Sequence, residues 1–128
     1  VPISLGNKRF LVIYHRGHLL HSGEKRYDLH AALFDFNEFD PKNPGRIITR
    51  RLERILAPET DAERISVSRD GVANVVFTCG SYEYNGYIYI LYGGADCCTL
   101  GARIPRDAMV AALENGEKRD PSPDDPAR

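Results

Sequence analysis

The sequence has little of what marks several common protein classes. Its three cysteines include the adjacent pair Cys97 and Cys98, an odd and poorly spaced set for a disulfide framework, which favours a reducing compartment such as the cytoplasm. The net charge is only -1, so no basic surface argues for nucleic acid or anionic lipid. No apolar run approaches the roughly 20 residues of a membrane helix, and the N-terminus lacks a signal-peptide layout. We therefore expect a soluble protein with neither a membrane nor a nucleic acid as partner.

What the chain does contain is enough apolar material for one core. It has 128 residues, of which 42% are hydrophobic, and this predicts one structural unit over residues 1–116 rather than a tandem array. A neutral ligand such as a sugar fits a chain with so little net charge.

Short apolar runs and turn formers predict a mostly β structure. Residues 9–15 and 27–35 are predicted as a strand and its return strand, and the proline-rich and glycine-rich segment 40–45 predicts a chain reversal before a third strand over 46–49. A charged link over 50–70 is followed by predicted strands at 73–79, 87–92 and 98–104. Asn85-Gly86 predicts a tight hairpin turn between two of them, because both residues tolerate positive φ.

The end of the chain differs from the rest. Pro105 suits a first helical position, and Met109, Val110 and Leu113 fall on one face, so a short helix is predicted over about 105–115. Residues 117–128 offer almost nothing to bury and are predicted to be a disordered tail.

Two groups of strands, over about 9–52 and 72–104, allow two architectures. Two neighbouring blades of a β-propeller would give this rhythm, because each blade is a small antiparallel sheet packed on the next. A small β-sandwich or barrel with a terminal helix explains the periodicity equally well.

Several motifs occur in the order and spacing of one family. The first two are a Tyr-His-Gly element with one inserted residue at 14–17 and a Tyr-x-x-Gly-Ala-Ala-Leu-x-Asp strand at 27–35, where His30 replaces the glycine. An Asp-Pro loop at 40–41 and a Pro-Glu link at 54–59 follow. The last two are an Asn-Val-Val-Phe strand at 74–80 and a Tyr-Gly-x-Ala-Asp element at 92–96. The chain resembles, from residue 9 to about 113, the C-terminal part of glycoside hydrolase family 130, the mannoside phosphorylases and related mannosidases.

The resemblance implies an all-β protein with the fold of a five-bladed β-propeller, of which this chain matches about two C-terminal blades plus a short C-terminal helix. It also implies glycosidase or glycosyltransferase activity on β-mannosides, either phosphorolysis to mannose 1-phosphate with inorganic phosphate as co-substrate and no cofactor, or hydrolysis. The family's catalytic acid and phosphate-binding arginines lie in the first blades, which match no segment here. The isolated chain is therefore expected to be inactive and to self-associate or to need a partner carrying the missing blades. The alternative is a non-catalytic carbohydrate-binding or assembly module.

Site residues are carried over by position. The resemblance implies that His15 binds phosphate, that Tyr27 and Phe77 line the acceptor-sugar subsite, and that Asp96 bonds sugar hydroxyls; no catalytic residue is assigned. Each has a structural alternative: a strand-end histidine bonded to a loop for His15, and core positions for the two aromatic residues. Asp96, a lone carboxylate after two glycines, has the least reason to serve packing.

A metal centre and thiol chemistry are the competing hypotheses. All four histidines lie within sixteen residues, at positions 15, 18, 21 and 30, and imidazole is a common zinc ligand. On a strand His18 would point away from His15 and His21, and no recognised metal motif accompanies them, so no metal site is predicted. Cys79, Cys97 and Cys98 have no flanking cation and are predicted to be small buried hydrophobic residues.

Overall fold

The computed structural model describes residues 1–118 and contains two antiparallel sheets. The order of strands in the first sheet is β1-β2-β3-β4-β8, and in the second β5-β6-β7. The strands of the first sheet are β1 (Ile3–Gly6), β2 (Arg9–Leu19), β3 (Lys25–Asp35), β4 (Ile48–Leu56) and β8 (Glu117–Lys118). Those of the second are β5 (Val76–Tyr84), β6 (Tyr87–Gly94) and β7 (Cys98–Pro105). Neither sheet closes on itself, so the architecture is an open all-β arrangement.

Within residues 1–118, two α-helices and two 3-10 helices join the strands. Helix α1 (Asp61–Arg64) lies in the connection between the sheets, and α2 (Arg106–Glu114) follows β7 directly. The 3-10 helices, Phe36–Glu38 and Pro44–Ile47, occupy the connection from β3 to β4. Among the described helices none is long and apolar enough to cross a membrane.

The core lies between the facing surfaces of the two sheets, and α2 closes one side of it. Alternation along each strand points every second side chain inward, which is why β2 buries Leu11 and Ile13 while β6 buries Ile88 and Ile90. Helix α2 adds Met109 and Leu113. The amphipathic stretch at the end of the chain is thus part of the same core.

The β5–β6 hairpin has the predicted turn. Asn85 and Gly86 both have positive φ, at 48° and 77°, and Tyr84 pairs directly with Tyr87. A two-residue turn of this kind matches the right-handed twist of the strands that it joins.

Three sequence predictions need correction. The third strand is not residues 46–49: Pro44–Ile47 form a 3-10 turn, and β4 uses Ile48–Leu56, most of it assigned to a link because of its charges. The strand predicted at 73–79 begins only at Val76, since Asn74 has a φ of 58°. Of the predicted tail, Glu117 and Lys118 form β8 against β4, and the rest lies outside the described residues.

Candidate functional site

Three of the four predicted site residues lie close to the junction of the two sheets. The rings of His15 on β2 and Phe77 on β5 stack with centroids 3.6 Å apart and an interplanar angle of 28°. Tyr27 on β3 lies 6.3 Å from the His15 ring and 6.4 Å from the Phe77 ring. Residues far apart in sequence therefore form one group of rings, which we call the aromatic triad: His15, Tyr27 and Phe77.

Strand geometry explains the triad. On β2 His15 shares the face of Ile13, and on β3 Tyr27 shares the face of Leu29, so both rings point toward the second sheet. The backbone fixes the contact between sheets, because Tyr27 N donates to Asn74 O at 3.0 Å and Tyr27 bridges Val75. Phe77 follows two residues later and remains 41% exposed. It is an accessible ring at a junction rather than a core residue.

Burial changes the chemistry expected of His15. Desolvation lowers the pKa of its imidazole from the ordinary 6.5, so the ring is predominantly neutral at neutral pH. Its Nδ1 is buried and has no hydrogen-bond partner within residues 1–118. A neutral histidine donates one N–H and accepts through its other ring nitrogen.

A cleft of about 290 Å³ opens beside the triad at the end of the β2–β3 hairpin, lined by Gly17, His18, Leu19, Lys25 and Tyr27. A Cβ on Gly17 would lie 2.9 Å from the Tyr27 ring, so the tyrosine covers that glycine closely. Tyr27 thus belongs to the triad and also lines the cleft.

Asp96 lies in the β6–β7 turn, outside the triad but at the same end of the second sheet. Phe77 pairs with Gly93, and Ala95 N donates to Val75 O at 3.0 Å. Asp96 is exposed, has a φ of 52°, and accepts from Val72 N at 3.3 Å through Oδ2. Its carboxylate is held by one backbone N–H and is open to solvent.

Sequence reasoning missed a polar cluster on the opposite face of the first sheet. Asp28 is fully buried, and its carboxylate lies 3.0 Å from Arg26 Nε, 3.3 Å from Arg54 Nε and 3.5 Å from His18 Nε2. His30, also buried, accepts from Arg54 N at 3.3 Å through Nδ1. Arg26, Asp28 and His30 are two residues apart on β3 and so share one face, and this spacing could have predicted the cluster.

The cluster contains three possible metal ligands, since one atom each of His18, Asp28 and His30 lies within 4.8 Å of the others. Two features oppose coordination. The guanidinium groups of Arg26 and Arg54 already neutralise the Asp28 carboxylate. The backbone N–H of Arg54 donates to the lone pair of His30 Nδ1, so the proton of a neutral His30 ring is on Nε2. The cluster is arranged as an ion-pair network around a buried carboxylate, and the absence of a metal site stays a prediction.

A second buried carboxylate ties α1 to the second sheet. Glu63 Oε1 accepts from the Tyr92 hydroxyl at 2.7 Å, and Oε2 accepts from the backbone N–H groups of Glu59 and Thr60, each at 2.8 Å. Burial acts to raise the pKa of Glu63, but these hydrogen bonds outweigh it and lower the pKa from 4.5. Burial and this hydrogen bond raise the pKa of Tyr92. Thr60-x-x-Glu63 is a capping box, whose sequence signature was present.

The cysteines are not buried as predicted. Cys79 and Cys97 are exposed, Cys98 is half-buried, and all three are free thiols. Cys79 lies on β5, while Cys97 and Cys98 lie where the β6–β7 turn meets β7.

Comparison with known proteins agrees with the order of motifs. Residues 2–115 match the sequence profile of the glycoside hydrolase 130 family, described as beta-1,4-mannooligosaccharide phosphorylase. The chain is 39% identical over 87 residues to a beta-1,2-mannobiose phosphorylase of Thermoanaerobacter sp., covering 68% of this chain and 24% of that protein. It is 36% identical over 95 residues to a 1,2-beta-oligomannan phosphorylase of Thermoanaerobacter sp., covering 74% and 27%.

A solved structure of a related phosphorylase has a similar fold. The beta-1,2-mannobiose phosphorylase of Listeria innocua, in complex with beta-1,2-mannobiose, superposes with a TM-score of 0.67 at 29% identity, covering 90% of this chain and 29% of that one. The fold and these similarities define a protein related to β-mannoside phosphorylases. The chain belongs to glycoside hydrolase family 130, and it spans 24% to 29% of the length of these relatives.

Proposed function

We propose that this chain is the C-terminal part of a β-mannoside phosphorylase and that it supplies phosphate and sugar contacts to a site completed by other blades. The observation that carries the proposal is the aromatic triad: His15, Tyr27 and Phe77, assigned to one site by the family motifs, lie together across two sheets. Packing of the hydrophobic core alone does not require these polar or exposed rings to lie together.

In this proposal His15 binds inorganic phosphate. Its pKa is lowered by burial, so the free protein presents a neutral N–H donor. Approach of a phosphate dianion would favour protonation and convert the contact into a charge-assisted hydrogen bond. Binding of phosphate to the completed site therefore takes up protons on His15.

Tyr27 and Phe77 would receive the sugar. The apolar C–H face of a mannose ring packs on aromatic faces, and Phe77 keeps 41% of its surface exposed despite stacking on His15. Tyr27 borders the cleft of about 290 Å³, which is close to the lower limit of about 300 Å³ for small-molecule sites. Asp96, exposed in the β6–β7 turn, would accept hydrogen bonds from sugar hydroxyls.

The two sheets would be two blades of a five-bladed propeller. They pack face to face around one core, and the matched part of this chain covers only 24% and 27% of the two curated relatives. The family resemblance puts the acid that protonates the glycosidic oxygen in the other blades, while phosphate attacks the anomeric carbon from the opposite face. The isolated chain would then bind without catalysing. No cofactor besides phosphate as co-substrate is proposed, and the three free thiols support a reducing, cytoplasmic location.

Exposed side chains on the outer face of the second sheet support the proposal of an adjoining blade. Tyr82, Tyr84 and Leu91 are 49%, 67% and 45% exposed, and Arg103 lies over the Tyr87 ring at 4.9 Å. An apolar sheet face of this kind usually packs against something. We propose that an adjoining blade covers it, and that the chain alone self-associates at micromolar concentration; a stable monomer in sedimentation velocity would contradict this.

A non-catalytic carbohydrate-binding module is the second candidate. It is favoured by the fact that the sugar-side candidates Tyr27, Phe77 and Asp96 all lie in this chain, while the resemblance assigns no catalytic residue to it.

A chimaera separates the two candidates. The segment of the Thermoanaerobacter beta-1,2-mannobiose phosphorylase that matches this chain, 24% of that protein, is replaced with this chain, and release of mannose 1-phosphate from mannobiose is measured. The enzyme proposal expects activity in the folded chimaera, loss of activity with His15→Ala, and none from either part alone. A folded chimaera that binds mannobiose but releases no product would favour the module.

A further inference from the structure

Two thiols converge at the β6–β7 turn. Cys97 Sγ lies 3.6 Å from Gly94 O, and Cys98 Sγ lies 3.4 Å from the same oxygen. Neighbouring residues within a strand point to opposite faces. Cys97 instead precedes β7, and the turn before it contains Ala95 and Asp96 at φ values of 45° and 52°. This turn brings both sulfur atoms to one carbonyl.

The pair is accessible and reduced. Cys97 is exposed and Cys98 half-buried, and neither forms a disulfide. The pKa of the Cys98 thiol is raised, first by desolvation and then by its hydrogen bond with the Cys97 thiol. The two thiols therefore interact directly, and the Cys98 thiol stays protonated at neutral pH.

The surroundings fix one sulfur more firmly than the other. Cys98 Sγ also lies 3.5 Å from Ala62 O in α1. A Cβ on Gly94 would lie 2.7 Å from Ala62 O and 3.3 Å from Cys98 Sγ, so the turn and α1 are closely packed there. Cys97 has solvent on its open side, which leaves a route for a ligand to reach both sulfur atoms.

We propose that Cys97 and Cys98 form a dithiol site for soft, thiophilic centres that accept two sulfur ligands, with trivalent arsenicals as the defining class. With an arsine oxide, the oxygen leaves as water with both thiol protons, and two As–S bonds replace the As–O double bond. Arsenic stays trivalent, and no oxidant or reductant is consumed.

Two bonds to one centre distinguish this site from a single thiol. When one As–S bond opens, the second holds the arsenic beside the free thiol, so rebinding occurs at high effective concentration. Cys79 lies alone on β5 with its sulfur 3.6 Å from Phe77 O, and it can form only one such bond. It is the natural control.

The test uses phenylarsine oxide on the reduced chain, followed by intact mass and thiol titration. We expect one retained arsenical per chain and loss of two of the three titratable thiols. Excess 2-mercaptoethanol should not remove it, whereas 2,3-dimercaptopropanol should. Cys97→Ser and Cys98→Ser should each weaken retention by about a hundredfold or more, and Cys79→Ser should leave it unchanged.

The serine variants keep nearly the same shape, and circular dichroism checks that they fold. Retention unchanged in both Cys97→Ser and Cys98→Ser would overturn the proposal. So would retention that depends on Cys79, or a wild-type chain that holds no arsenical after washing with monothiol.

Discussion

The His15 ring of the first sheet stacks on the Phe77 ring of the second with their centroids 3.6 Å apart. This contact joins two sheets that are otherwise held mainly by aliphatic packing, and it places a titratable group beside an exposed aromatic face. The physical properties of the proposed site follow from this pair.

The stack should be measurable as a coupling energy. In a double-mutant cycle, His15→Ala and Phe77→Ala should show a coupling of about 0.5–1.5 kcal/mol in the free energy of unfolding, because stacked rings stabilise beyond their buried area. Tyr82→Ala, on the same strand but within the Tyr82–Tyr89 stack, serves as the control partner for His15→Ala. Urea titration of the four proteins in each cycle gives the values. Equal coupling in both cycles would show that the ring contact is not responsible.

The stability of the fold should fall in acid in two steps. Burial lowers the pKa of His15 and of His30 below 6.5, so the unfolded chain binds more protons below that pH, and the free energy of unfolding decreases as pH falls through the folded pKa values. Glu63 has a pKa lowered from 4.5, and its contribution is lost only below that value.

The first step can be assigned with one variant. His15→Phe keeps a ring on Phe77 and removes the titration, so its loss of stability between about pH 7.5 and pH 5.5 should be smaller than that of the wild-type chain. Urea midpoints at the two pH values measure this. Identical losses in the two proteins would mean that His15 is not desolvated in the folded state.

The Tyr92–Glu63 hydrogen bond should contribute strongly to stability. Tyr92→Phe removes the 2.7 Å donor to a buried carboxylate, and hydrogen bonds to charged groups contribute about 1.5–3 kcal/mol. Tyr82→Phe removes a hydroxyl from a ring that is 49% exposed and should change the free energy of unfolding by less than about 0.5 kcal/mol. Chemical denaturation of both variants compares them; similar losses would contradict a specific role for this bond.

The packing of the β6–β7 turn against α1 predicts a glycine requirement. Gly94→Ala puts a Cβ 2.7 Å from Ala62 O and 2.8 Å from Leu100 Cδ1, which should cost about 1–3 kcal/mol. Gly101→Ala, on β7, meets its nearest atom at 3.8 Å and should be neutral or slightly stabilising. Thermal unfolding of the pair is sufficient, and a Gly94→Ala variant as stable as Gly101→Ala would show that the turn relaxes freely.

The sequence predicts local features of this fold better than contacts between its sheets. Asn85-Gly86 predicts its hairpin because positive φ is a property of those two residues. The sequence predicts a link for most of β4, because its charged side chains hide the alternation. The bulge at Arg54, with a φ of 52°, also interrupts the register. Pairing with β3 makes this segment a strand, although its composition favours a link.

For the candidate site, too, the sequence predicts some features and not others. Motif order predicts which residues belong together, and the structure brings His15, Tyr27 and Phe77 to one junction. It does not follow from the sequence that Asp28 would be buried under two guanidinium groups, or that two adjacent cysteines would share one carbonyl. The first depends on packing between segments that sequence spacing does not define, and the second depends on the positive φ values of Ala95 and Asp96 in the turn.

The most direct test of the account measures phosphate and mannobiose binding separately in the folded chimaera by calorimetry. Asp96→Ala should weaken sugar binding about ten- to a hundredfold, corresponding to roughly 1.5–3 kcal/mol for a contact to a charged group, and should leave phosphate affinity nearly unchanged. His15→Ala should do the reverse. If both ligands weaken together in each variant, or if either variant unfolds, then these residues serve the structure and the proposed site is wrong.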